Sequence, residues 1–312
     1  MSAEAEKTRA ILRKVRQVEI KSRRFVDDAL VGAYHSVFKG AGIDFSEVRE
    51  YQAGDDVRAI DWNVTARMDR PFIKIYEEER ELTIMLLIDV SGSNDFGSVE
   101  ASKRELAAEI ASVLALSATR NNDKVGLLLF SDRIEKFIAP KKGRPHVLRV
   151  VREILFHQPQ GRGTDIPEAL RHLLRILHRR AICFLVSDFL APETLRWTGS
   201  GERTADRDDL QRSLALMNRR HDLICIELHD PREESLPAVG IVVLEDAESG
   251  QLVEVDTGNR RFRELYAREN VIRRERLHAT FRRSGVDAIP VRTDAPYIQS
   301  VRAFFRRRER RR

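Results

Sequence analysis

The run Thr83-Ile84-Met85-Leu86-Leu87-Ile88-Asp89 is apolar at every position from Ile84 to Ile88 and closes on an acid. A strand with one face in water would alternate apolar and polar residues. This one does not, so it reads as a central parallel strand covered on both faces. Ala181 to Asp188, AICFLVSD, repeats the pattern, and DLICIEL (Asp222 to Leu228) and VDAIPV (Val286 to Val291) supply further strands. Amphipathic stretches alternate with them: Val99 to Arg120, Arg144 to Phe156, Ile166 to His178, Leu210 to Arg220 and a terminal helix from Ala295. VGLLLF (Val125 to Phe130) and RIEKFIA (Arg133 to Ala139) flank Ser131 and Asp132 and suit a hairpin. The expected fold class is α/β, a doubly wound, mostly parallel sheet with helices on both faces.

That domain spans residues 81–312, with an inserted hairpin near 239–256 that turns at Glu248, Ser249 and Gly250. Residues 1–80 differ in texture: a basic helix, then a Gly-punctuated segment, read together as a covering module. Pro192 to Asp209 reads as a polar loop. No run approaches the roughly 20 apolar residues of a membrane-spanning helix, and the charged N-terminus has no apolar signal core. A cytoplasmic location is therefore expected. Cys183 and Cys225 each lie inside an apolar run, which argues for buried thiols rather than a disulfide or a zinc site.

Three turns at the ends of these strands carry oxygen. They are Asp89-Val90-Ser91-Gly92-Ser93, Gly161-Arg162-Gly163-Thr164-Asp165 and Ser187-Asp188. Ligand sites in open parallel sheets lie beyond the carboxyl ends of the strands, where such turns can meet. Mg²⁺ takes oxygen ligands in octahedral geometry and keeps several waters, which suits three hydroxyls and two acids. Ser91, Ser93 and Thr164 would offer hydroxyls, while Asp89 and Asp188 would bond coordinated water. Mn²⁺ shares the preference for oxygen. With few anions in contact, such an ion stays electrophilic and can accept a carboxylate from another molecule. Each turn has a plainer reading as well: Asp and Ser cap helices, and Thr164 or Asp165 would start the helix at Ile166.

The sequence DVSGS, then GTD, then SD after an apolar strand resembles the metal ion-dependent adhesion site of von Willebrand factor A domains. Upstream, GIDFSEVREYQAGDDVRAIDWNVTARMDRPFIKIYEEERE is similar to the signature of a bacterial family, domain of unknown function 58. Together the two cover the chain from about Lys39 to Asp188. Asn94 departs from the pattern, standing where many members have Met. The resemblance implies a doubly wound domain that interrupts or follows a smaller β-rich segment. It also implies a partnership with MoxR-type AAA+ ATPases in chaperone-like or cofactor-insertion work. Within the signature, Gly54 and Asp55 suit a turn, and Trp62 offers a large apolar area for burial. Arg49, Asp56, Arg58, Asp61 and Arg67 are expected to form an ionic network tying this segment to the main domain.

The reading is thus a non-enzymatic, metal-dependent adaptor that grips an acidic residue of a protein partner, with no small-molecule substrate. The rival classes are two. A Mg²⁺-dependent, phosphatase-like hydrolase would need a second carboxylate as general acid where Ser91 stands. A nucleic-acid-binding protein would use the basic tail, Arg306, Arg307, Arg308, Arg310, Arg311 and Arg312. The tail also offers an anionic membrane a contact, but a frayed, solvated terminus is the simpler expectation. The chain has 55 Lys and Arg against 49 Asp and Glu, a net charge of +6, and much of that excess sits in this tail. No GxxxxGK[ST] phosphate loop and no GxSxG elbow occurs.

Overall fold

A computed structural model describes residues 13, 15–20, 22, 44–52, 54–68, 70–77, 81–98, 102–190, 205–245 and 250–311. Most of the basic N-terminal helix, the Gly-punctuated stretch before residue 44, most of the polar loop after Leu190 and the turn residues Glu248 and Ser249 lie outside them.

The central sheet has six strands: β3 (Thr83–Asp89), β4 (Lys124–Phe130), β5 (Ile134–Lys141), β6 (Ile182–Ser187), β7 (Asp222–His229) and β10 (Asp287–Arg292). Their order is β10-β7-β6-β3-β4-β5, and every neighbouring pair is parallel except β4 and β5. This is the doubly wound, mostly parallel sheet expected from the sequence. The unbroken apolar runs follow from two covered faces. Ile84, Leu86 and Ile88 join one core cluster while Met85 and Leu87 join the other, and all five are fully buried. On the first face lie α2 (Lys103–Arg120), α3 (Arg144–Phe156) and α8 (Tyr297–Glu309), together with Val15 and Val18. On the second lie α4 (Ile166–Ile176), α5 (Ala205–Arg220) and α7 (Arg260–Arg283).

Several boundaries differ from expectation for local reasons. The helix expected from Val99 begins at Lys103, because the Ser102 side chain accepts from Glu105 N at 3.2 Å and caps it there. Helix α5 starts at Ala205 rather than Leu210, taking in the polar ADRDD stretch that reads as loop. Helix α7, 24 residues long, has no counterpart among the expected amphipathic stretches; Phe281 is its single fully buried residue, so its apolar stripe is hidden among arginines. The inserted hairpin is β8 (Ile241–Glu245) paired antiparallel with β9 (Leu252–Asp256), apart from the main sheet.

The tail is not frayed through Glu309. Phe304 and Phe305 of α8 are buried, and Arg308 donates to Asp222 at 2.6 Å and 2.7 Å. In the signature segment, β1 (Asp44–Glu50) and β2 (Phe72–Glu77) pair with each other and flank α1 (Trp62–Met68). The ionic network takes another form. Arg49 makes a two-pronged pair with Asp55, at 2.7 Å and 2.9 Å. Asp56 and Asp61 instead accept backbone N–H groups of Arg58 and of Asn63 and Val64, as helix caps do. Arg58 and Arg67 form no ion pair among the described residues. Trp62 is not buried either: 68% of it is exposed.

Candidate functional site

The neighbours β3 and β6 mark the point where chain order reverses, with β4 and β5 on one side and β7 and β10 on the other. A crevice beyond the carboxyl ends of two such strands is the usual ligand position in an open sheet. Asp89 ends β3 and Asp188 follows β6, and both are buried.

Hydrogen bonds join the three turns. The Ser187 hydroxyl donates to Asp89 Oδ2 at 2.6 Å, and Ser91 N donates to Asp89 Oδ1 at 2.9 Å. Gly92 N donates to the Arg162 carbonyl at 3.2 Å, which brings the GRGTD turn to the DVSGS turn. That turn is held from below by Glu135 of β5, which accepts from Gly161 N at 2.8 Å and the Ser131 hydroxyl at 2.7 Å. Burial opposes ionisation of Glu135, yet these bonds hold its pKa at about 2. Gly161 is needed for this closeness, since a Cβ there would collide with the Asp132 and Ser131 side chains.

The five expected ligands therefore sit at one end of the sheet, with Ser91, Asp89, Asp188 and Thr164 buried and Ser93 half-buried. The Ser91 and Ser93 hydroxyls are 3.2 Å apart. Thr164 is not the helix cap. Asp165 is, accepting Glu168 N at 2.8 Å, which leaves the Thr164 hydroxyl outside that duty. Asp165→Ala is accordingly expected to cost about 0.5–2 kcal/mol in urea unfolding and Thr164→Ala much less. The reverse ranking would return the cap to Thr164.

Burial, and then the charge of Asp188, push the Asp89 carboxyl up to about 6. Asn94 donates to Ser91 Oγ at 3.3 Å, and its own buried Oδ1 has no hydrogen-bond partner. Two acids that repel, paired hydroxyls and an orphaned acceptor fit a hard cation bound by oxygen. Among the described residues no three His, Cys, Asp or Glu side chains form a metal cluster, so hydroxyls would have to carry much of the ligation.

Sequence reasoning missed Lys103. It is the first residue of α2, and its ammonium is fully buried, bonded to Asp188 Oδ2 at 2.5 Å and to Glu233. Glu233 lies on α6 (Pro231–Glu234), a short turn capped by Asp230. Burial opposes the charge on Lys103, but Asp188 and Glu233 hold its pKa above the ordinary value. The Asp188 turn is itself tightly made. Phe189 takes a left-handed φ of 53°, its N–H donates to Ser187 Oγ at 3.0 Å, and Leu190 N donates to Asp188 Oδ1 at 3.0 Å.

Residues 47–276 match the family model described as a protein of unknown function, DUF58. The chain belongs to this family. The DUF58 chain is 32% identical over 298 residues to an uncharacterized protein of Mycobacterium tuberculosis, covering 95% of this chain and 89% of the relative. An uncharacterized protein of Mycobacterium bovis matches to the same extent. Among solved structures, the conserved hypothetical protein BatB from Bacteroides thetaiotaomicron is 14% identical with a TM-score of 0.44, covering 73% of this chain and 99% of that one. A von Willebrand factor type A protein from Catenulispora acidiphila is 12% identical with a TM-score of 0.41, covering 76% and 44%. No helix among the described residues is long and apolar enough to cross a membrane.

Proposed function

We propose that this DUF58 protein is a non-enzymatic cytoplasmic adaptor that holds Mg²⁺ or Mn²⁺ at Asp89, Ser91, Ser93, Thr164 and Asp188. Through that ion it grips an acidic residue of a protein partner, a MoxR-type AAA+ ATPase, in chaperone-like or complex-assembly work. The observation that carries the reading is the joining of the three turns by the Ser187–Asp89 and Gly92–Arg162 hydrogen bonds. The ion would supply an electrophilic point for a carboxylate. The chain's own part is to fix the hydroxyls of Ser91 and Ser93 side by side and to keep Asp89 poised by Ser187. Lys103 bonds one oxygen of Asp188, so the protein offers little free negative charge and the partner's acid completes it.

Calorimetric titration with MgCl₂ and MnCl₂ tests the first half. Wild type is expected to bind, Asp89→Ala to lose binding and Thr164→Ala to bind more weakly; equal affinities in all three reject the site. Co-purification with a co-expressed MoxR-type ATPase, with and without chelator, tests the second. Capture that survives chelation moves the interface away from the ion.

A further inference from the structure

On the far side of Asp188, between α7, α6 and the end of β7, lies a cavity of about 540 Å³. Pockets of this size commonly take small ligands or the side chains of a partner. The acids in its wall are mostly matched already. Glu227, with its side chain 1% exposed, has His278 Nε2 at 2.7 Å, His229 Nε2 at 3.0 Å and Arg274 Nε at 3.9 Å. Glu234 receives Arg274 at 2.7 Å and Arg292 at 2.9 Å. Asp188 and Glu233 share Lys103. The remaining wall acid, Glu269, is exposed.

Of the wall arginines without a side-chain hydrogen bond or ion pair to a described residue, Arg276 and Arg283 are exposed and Arg273 is not. It lines the cavity from α7, is half-buried, and has no hydrogen bond or ion pair with any described residue. Burial pulls its pKa below the ordinary arginine value, and Tyr266, Glu233, Asp188 and Glu227 oppose that only through space. A guanidinium nonetheless keeps its charge near neutral pH. Five donors and a full charge are thus partly removed from water without a partner, an arrangement that costs stability until an anion arrives.

We propose that this cavity is an anion-binding site anchored by Arg273, and that it takes a carboxylate of an acidic protein segment. The planar fork of the guanidinium matches a carboxylate through two parallel hydrogen bonds. The choice of a protein carboxylate rests on the adaptor reading, because Asp188 belongs both to this wall and to the candidate cation site. A segment with two acids could then put one on the ion and the other on Arg273, and tethering makes the second contact intramolecular.

The test is fluorescence anisotropy of a labelled hexaglutamate peptide against the full chain, in MgCl₂ and in EDTA. Arg273→Gln is expected to weaken binding roughly tenfold or more, with Arg273→Lys in between. Arg260→Gln, on the exposed start of the same helix, is expected to change nothing. Equal affinity of wild type and Arg273→Gln overturns the proposal, as does no measurable binding by wild type in either buffer. If Arg273→Gln weakens binding but EDTA does not, the anion site stands and the cation-dependent adaptor falls. If inorganic phosphate displaces the peptide at equal concentration, the ligand is a free small anion and the protein source is overturned. Should Arg273→Gln fail to fold, Arg273→Lys carries the comparison.

Discussion

Replacing Lys103 with methionine is expected to lower the unfolding free energy by about 3–5 kcal/mol, read as a shifted urea midpoint. Its ammonium is fully buried, and Asp188, 1% exposed at the side chain, and Glu233 both bond to it. Removing it leaves two acids facing each other without a cation. Glu233 is already pushed above its ordinary pKa by burial, with Lys103 opposing that push. Adding Asp188→Asn and Glu233→Gln to the methionine variant is expected to recover most of the loss, since no unpaired charge then remains. A loss below about 1 kcal/mol for the single variant would mean that water reaches the pair as it does at a surface.

The metal-free protein is also expected to lose stability as pH rises from about 4 to about 6, through Asp89. The folded carboxyl titrates at about 6 against an ordinary 3.8, because burial and Asp188 disfavour its charge. Between those values the folded state holds a proton that the unfolded state has released. The slope is therefore negative with rising pH, up to about 1.4 kcal/mol per unit. Asp89→Asn removes this contribution. In EDTA it is expected to be more stable than wild type at pH 7 by roughly 2–3 kcal/mol and to match it near pH 4. Acids with depressed values, Glu135 and Glu227, act in the opposite sense, so only the difference between the two proteins is diagnostic. Identical pH profiles would show that Asp89 is ionised in the folded state throughout.

The central strands were legible because burial on both faces leaves a mark that survives in a single line of letters. TIMLLID, AICFLVSD and the VGLLLF–RIEKFIA hairpin all fall where their composition puts them. Helix α7 was not legible. A helix that buries Phe281 alone, and half-buries much of the rest in a sequence crowded with arginines, carries almost no apolar period. The three oxygen-bearing turns could be found, since each follows a recognisable strand or precedes a recognisable helix. Lys103 could not, because its partners are 85 and 130 residues away and a lysine in the first turn of a helix reads as solvated. Arg273 escaped for the same reason: the lack of a partner is a property of the folded surroundings. Trp62 misled in the other direction, its apolar area being no guarantee of cover.

The β8–β9 hairpin stands as a sheet only two strands wide, and such a sheet has two flanks against which further chains can align. Ile241, Val243 and Leu252 project from one side of it into water, which favours growth by stacking. Glu245, Glu254 and Asp256 are spaced among them on that same side, so neighbouring copies would meet negative on negative. Glu245→Gln, Glu254→Gln and Asp256→Asn together remove this brake, and filament formation or turbidity should then appear first from this hairpin.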